Sequence, residues 1–407
     1  MDLDLLNCEE RNGGHVRGAG ACFVRIPWLI AGTRPGCKDS SLCNRGRARV
    51  IVIPMSSEPG RPRQRSLQRQ LVLFIFGLLM VVPLVILFRE FGAMSADPAP
   101  PISTRTIDYR GWAESIVMES SRVEVIIVPA IGRVMQFRFK GEEGPFWENE
   151  ALWGKSPDAA SPEWGNFGGD KTWPSPQSKW PLRTPRAWPP PPAFDSMPVK
   201  AEVRRGRVTL LSPVDPDFGI RTEREIRLDA DHPRMTIITT YEQVTEPSHV
   251  PPAGGTNRVG IWIITQLSHP EAVFIPVGSA EDRGAGYVLQ SDTPPLALTN
   301  RGGLLSLARD PSEPHKIGTR AGTLLWVGAR ETLRIDSPRI PGAPYPDDQS
   351  SAEVYTSRNP ASYVELEMLA PLQEMKVGQR YSQTNVYTLA RRTEPTPEAE
   401  ALKLLRP

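Results

Sequence analysis

The stretch NFGGDKTWPSPQSKWP, residues 166 to 181, packs two adjacent glycines, an Asp-Lys pair, two tryptophans, a glutamine and three prolines into one short segment. Gly168 and Gly169 allow a tight bend with positive φ, which would hold Asp170 and Lys171 at fixed angles. Asp170 is then a candidate catalytic carboxylate and hydroxyl acceptor, and Lys171 a binder of a carboxylate or phosphate group. The plain alternative is a surface ion pair between them, which contributes little. Trp173 and Trp180 flank Gln177, and Asn166 opens the segment. An indole offers a flat apolar face and one N–H donor, which suits the C–H face of a pyranose while its hydroxyls go to polar neighbours. Six of the ten tryptophans, Trp147, Trp153, Trp164, Trp173, Trp180 and Trp188, crowd around this segment. The competing reading makes them a satellite core under a long loop.

Late in the chain, YVELEML (363 to 369) sets Glu365 and Glu367 on one face, roughly 6.5 to 7 Å apart by strand geometry. In a partly desolvated cup their repulsion would raise at least one pKa, as a general acid or base requires. Glu365 is the candidate catalytic carboxylate and Glu367 a binding contact. Two positions on one strand rarely straddle a scissile bond, so a glycoside hydrolase is disfavoured. In GIWIITQL (260 to 267), Trp262 and Gln266 share a face and complete the candidate binding set.

These residues need strands to position them. Strand-like runs recur from VEVIIV (123 to 128) and VMQFRF (134 to 139) to YSQTNVYTL (381 to 389), with period-two alternation and turns such as PAGG and NRGG between them. Helical candidates are scarce, the best being EAEALKLL near the C-terminus. The fold class is therefore all-β with antiparallel sheets. With three prolines, the segment 166 to 181 reads as neither a good helix nor a central strand. A sheet covered on one face and wet on the other would curl into a cup whose polar side chains converge on a ligand.

The balance of 48 Lys and Arg against 46 Asp and Glu gives no field for nucleic acid. Cys8, Cys22, Cys37 and Cys43 all precede position 44 and lack C-x-x-C spacing, so no metal site is expected. No cofactor is expected, since the P-loop GxxxxGK[ST] is absent, and the GxSxG nucleophile elbow is missing too.

Between Leu71 and Phe88 lies LVLFIFGLLMVVPLVILF, an uncharged run of eighteen residues that spans roughly 27 Å as a helix. Arg61, Arg63, Arg65 and Arg69 precede it, which leaves the N-terminus cytoplasmic and the bulk of the chain outside, in the periplasm if the source is bacterial. An uncleaved single-pass anchor competes with a signal peptide cut near Ala93-Met94-Ser95. Met55 opens a compact basic leader, so residues 1 to 54 could be a mistaken extension. The expected organisation is a basic N-terminal segment (1–70), the membrane helix (71–88), a linker (89–109), one β-domain (110–391) and a C-terminal tail (392–407).

The order of IIVPAIGRVMQFRF, FWENEALWG, NFGGDKTWPSPQSKW, GIWIITQL and YVELEMLAPLQEMKVGQRYSQTNVYTL resembles the galactose mutarotase-like superfamily, in a branch that is a domain of unknown function. That resemblance implies a β-supersandwich, 110 to 391, that binds carbohydrate in its cleft. Sugar-converting members use two histidines and a glutamate, and Glu365 sits where that glutamate is expected. The histidines depart from the pattern: His232, His249, His269 and His315 lie outside both the GGDK motif and the WIITQ strand. Two functions stay open: a membrane-anchored extracytoplasmic carbohydrate-binding protein, either noncatalytic or acting on a sugar by acid/base chemistry as a mutarotase-like isomerase without the usual histidine pair, and a non-catalytic cell-envelope structural or protein-interaction domain.

Overall fold

The computed structural model describes residues 102–158, 163–185, 187–248, 258–278 and 284–405. In chain order the strands begin with β1 (Ser103–Tyr109), β2 (Trp112–Glu119), β3 (Val123–Val128), β4 (Arg133–Phe139), β5 (Asp170–Ser175), β6 (Lys200–Arg204) and β7 (Arg207–Val214). Then come β8 (Ile220–Leu228), β9 (Arg234–Gln243), β10 (Arg258–Ser268), β11 (Ala272–Pro276), β12 (Val288–Leu289), β13 (Thr299–Arg301) and β14 (Leu304–Leu307). The last are β15 (His315–Thr319), β16 (Thr323–Val327), β17 (Glu331–Asp336), β18 (Ala352–Thr356), β19 (Tyr363–Leu369), β20 (Gln373–Glu374) and β21 (Arg380–Arg391).

Among the described residues these strands form two antiparallel sheets. The first runs β1-β2-β3-β4-β5-β10-β19-β18-β15-β12, with β20 on β10, and the second runs β13-β14-β11-β16-β17-β21-β9-β8-β7-β6. Apolar residues from both sheets, such as Val125, Phe137, Leu366, Ile237, Leu333 and Leu389, interlock in one core. Each such side chain contributes about 1.5–3 kcal/mol when fully buried. The all-β reading holds, and the strand-like runs read from the sequence are strands here. The best helical candidate is also present, as the helix Pro397–Leu404.

Three differences from expectation have physical causes. Strand β1 begins at Ser103, inside the stretch read as linker, because it pairs with β2 from Ser103↔Glu119 to Tyr109↔Trp112. The proline-rich motif supplies a central strand after all. Ile261 turns its carbonyl to Ala370, so its partner Pro174 needs no N–H toward β10. On its other side the β4 to β5 register comprises only Val134 and Asp170. The Pro174 carbonyl instead accepts the Trp180 indole N–H at 2.8 Å. A proline is tolerated where the ladder asks nothing of its nitrogen.

The third difference is burial. Strand β8 alternates buried and half-exposed residues, as one wet face requires. Strands β5 and β19 are buried at every position, so the outer face of the first sheet is roofed rather than open. Among the described residues no helix is long and apolar enough to cross a membrane. The run 71–88, the basic segment before it and the four cysteines lie outside the described residues.

Candidate functional site

The site is built on β5, β10, β19, β18 and β15. Gly168 and Gly169 adopt φ of 92° and 71°, the left-handed region expected for them. A Cβ on Gly168 would lie 2.2 Å from the Trp147 carbonyl, and one on Gly169 would lie 2.5 Å from the Val134 carbonyl. The bend is fastened by Arg133, whose Nη1 donates to the Gly168 carbonyl at 2.7 Å. Beyond it β5 alternates, and consecutive residues face opposite ways.

The outer face carries the chemistry. Lys171 pairs with Ile264, Ile264 with Glu367, and Glu367 with Glu353. In the next row Gln266 pairs with Glu365, Glu365 with Tyr355, and Tyr355 with Lys316. Trp173 pairs with Trp262. The structure thus brings together Lys171, Trp173, Trp262, Gln266, Glu365 and Glu367, and Asn166 approaches the hydroxyl of Tyr363 beside Gln266.

Lys171 Nζ lies 3.8 Å from Glu365 Oε1, and Gln266 Nε2 donates to that same oxygen at 2.9 Å. The ammonium sits 4.8 Å from the Trp173 ring centroid and 5.2 Å from that of Trp164. It makes no hydrogen bond, and neither do the buried atoms Gln266 Oε1, Glu367 Oε1 and Asn166 Oδ1. Burial, helped by the nearby Arg133 charge, brings the Lys171 pKa down to about 8. Of the carboxylates on this face, Glu353 and Glu367 are 0% exposed while Glu365 keeps 8%, so Glu365 is the one that reaches outward.

Beside this pair lies a closed one. Lys316 Nζ bonds Glu353 and Glu367 at 2.7 and 2.9 Å and stands 4.6 Å from the Trp262 ring centroid. Glu367 also accepts the Trp262 indole N–H at 2.6 Å. Burial opposes the Lys316 charge, yet the two carboxylates hold its pKa above the ordinary value. Burial raises the Glu367 pKa well above the ordinary value, against the pull of Lys316. Asp347, half-buried nearby with φ of 47°, is pushed up to about 6 by burial and by Glu353.

The roof is organised by Asp195, at the end of the short helix Pro192–Asp195. It accepts from Arg133 Nη2 at 2.8 Å, Trp173 Nε1 at 2.9 Å and Trp164 Nε1 at 3.1 Å. One carboxylate therefore fixes both indoles that box Lys171. Trp188 packs against Trp164, Trp173 and Trp180 and remains 43% exposed.

Three expected site residues stand elsewhere. Asp170 points between the sheets, where it pairs with Arg224 and accepts from Thr265 Oγ1 at 2.7 Å and the Tyr387 hydroxyl at 2.6 Å. Strand alternation puts it opposite Lys171, so the two neither pair nor share a ligand. Gln177 starts a short 3-10 turn (Gln177–Leu182) and is exposed. Trp180 is 1% exposed and spends its N–H on Pro174, which makes it core.

The sequence reading passed over Lys316, Glu353, Tyr355, Asp195 and Arg133. The alternation Glu353, Val354, Tyr355 within AEVYT carried a strand signal, and HKIGT held Lys316 between His315 and Ile317. Asp195 had no such signal, since it lies in a proline-rich loop. Among the described residues no group of three or more His, Cys, Asp or Glu side chains is placed to hold a metal ion. What the open pair offers is a buried ammonium beside a carboxylate that reaches solvent, with unmet acceptors around them. Lys171 and Glu365 stand 3.8 Å apart, close enough for a proton to pass between them by way of one bridging oxygen.

Fold and site together define a two-sheet all-β protein with a charged outer face roofed by indoles. The family model described as "Domain of unknown function (DUF4380)" matches residues 113–390, and the chain belongs to that family. The sequence motifs pointed to a domain of unknown function, and the matching family is one. No curated protein matches the chain. Three solved structures are similar to the chain. One is galactose 1-epimerase of Lactobacillus acidophilus NCFM, at 11% identity over 71% of this chain and 99% of that one, with a TM-score of 0.41. A Salmonella typhimurium protein provisionally assigned as a mutarotase matches at 11% identity over 75% and 100% of the two chains, with a TM-score of 0.43. A protein of Escherichia coli K12 provisionally assigned as an aldose 1-epimerase matches at 9% identity over 71% and 100%, with a TM-score of 0.42.

Proposed function

We propose that the protein binds carbohydrate on the outer face of the first sheet, with Glu365 and Lys171 as the groups that exchange protons with the bound sugar. The observation that carries this reading is the Lys171 ammonium, buried without a hydrogen bond and 3.8 Å from Glu365. Leaving such a group unmet costs about 1–3 kcal/mol or more, a cost a ligand oxygen would relieve. The half-buried Trp164 and the exposed Trp188 provide flat apolar surface beside it, backed by the buried indoles of Trp173 and Trp262. We also propose that the run 71–88 anchors the domain to the cell membrane, on its extracytoplasmic side.

Intrinsic tryptophan fluorescence, titrated with neutral and acidic mono- and oligosaccharides, tests binding. A saccharide-dependent change is expected. Silence across the panel from folded protein would favour the interaction-domain alternative, in which the exposed Trp188 rim meets another protein. Exchange between anomers, followed by NMR, tests turnover. Glu365→Gln should abolish that exchange while binding persists, because the amide keeps the shape and loses the proton acceptor.

A further inference from the structure

A concavity lies beside Trp147. It is an open cleft of about 520 Å³ whose lining includes Arg110, Gln136, Trp147, Glu148, Trp153 and Ser268. Its polar floor is assembled but incomplete. Gln136 Nε2 donates to the Phe146 carbonyl at 2.9 Å and to Glu148 Oε1 at 2.7 Å, and the Tyr109 hydroxyl donates to Glu148 Oε1 as well. Glu148 Oε2, Gln136 Oε1 and Trp153 Nε1 are buried and make no hydrogen bond. Gln136 is 4% exposed and the Glu148 side chain 7%, and both line the cleft. Gly144 backs closely onto the amide, since a side-chain carbon there would lie 2.3 Å from Gln136 Oε1.

The Arg110 guanidinium lies 4.1 Å from the Trp153 ring centroid and 3.9 Å from Glu148 Oε2, held by a turn in which Arg110 has φ of 54°. Trp147 lines the same cleft. Two acceptors and one donor between indoles match the alternating donors and acceptors of a sugar's hydroxyl edge. Glu143, Glu148 and Glu150 outnumber Arg110 among the charges here, which disfavours an anionic group.

The cleft continues the outer face. The Trp147 amide donates to the Gln266 carbonyl at 2.9 Å, and its ring packs 4.6 Å from that of Tyr363, whose hydroxyl faces Gln266 and Asn166. We propose that this cleft is a second subsite for a neutral sugar residue, so that the ligand is an oligosaccharide running from Lys171 and Glu365 over Trp147 into the cleft. The inference rests on the carbohydrate reading of the outer face.

Calorimetry of the full chain separates the two ideas. The probes are glucose, galactose, xylose and glucuronic acid, each compared with di-, tri- and tetrasaccharides that carry it. Affinity should rise about tenfold or more with the second residue. Glu148→Gln and Trp153→Ala should each remove that gain and leave monosaccharide affinity within about twofold. The near-isosteric Glu148→Gln keeps the test open if Trp153→Ala fails to fold. Monosaccharide binding with no gain on lengthening, or a gain retained in both variants, would overturn the second subsite alone. Absence of binding at every length would overturn it together with the reading of the outer face.

Discussion

Asp170 and Lys171 are consecutive, both on β5, both fully enclosed, and they live under opposite rules. Asp170 faces the second sheet and is met by Arg224, Thr265 and Tyr387. Lys171 faces the roof and is met by two indole faces and a carboxylate too far away for a hydrogen bond. Proteins rarely bury a polar group without a partner. A buried charge with every bond made holds the sheets together; the one with bonds missing is the group on which the carbohydrate proposal rests.

The comparison breaks most easily at its structural end. Asp170→Ala leaves Arg224 buried and unpaired, so unfolding by denaturant should show a loss of about 3–5 kcal/mol. If Lys171→Met lost as much, the distinction between the two faces would fail. Trp180→Ala should cost about 3–5 kcal/mol in the same assay, as expected for a core indole. Lys171→Met should leave the unfolding midpoint unchanged or raised, because it removes a desolvated charge, and should still abolish the saccharide response.

The pH dependence sharpens the contrast. The Lys171 pKa in the folded chain is about 8, below its ordinary 10.5, so the folded state releases this proton first as pH rises. Between those values the unfolded chain binds more protons, and this group's contribution to stability therefore rises with pH. Affinity should move the other way, falling as pH passes about 8 and the ammonium is lost. Calorimetric titrations at several pH values check this, and a flat profile would remove Lys171 from the binding group. The smallest effect is expected at Trp188. Its exposed ring should change stability by no more than about 0.5 kcal/mol on replacement by Ala, while weakening the fluorescence response.

Much of the fold was legible because period-two alternation is local. VEVIIV and YVELEML match β3 and β19 residue for residue. The shared face of Glu365 and Glu367 followed from the same rule, as did that of Trp262 and Gln266. Rules that depend on neighbours were not legible. Proline argued against a central strand at 174, and only the hydrogen bonds of Ile261 and Trp180 show why it is allowed. Asp170 read as a site residue because its place beside Lys171 was visible while the Arg224 partner, far along the chain, was not. Asp195 was hidden for the same reason, since its role depends on two indoles and an arginine that converge only on folding.

Strands β4 and β5 are joined through a single pair of residues, Val134 and Asp170. The first sheet is thus two blocks of ladder sharing one stitch, and the stitch falls on the residue that clamps the sheets. Local opening there would let β1 to β4 breathe without unravelling the remainder. Amides of β2 and β3 should then exchange with solvent as a group separate from those of β10 and β19.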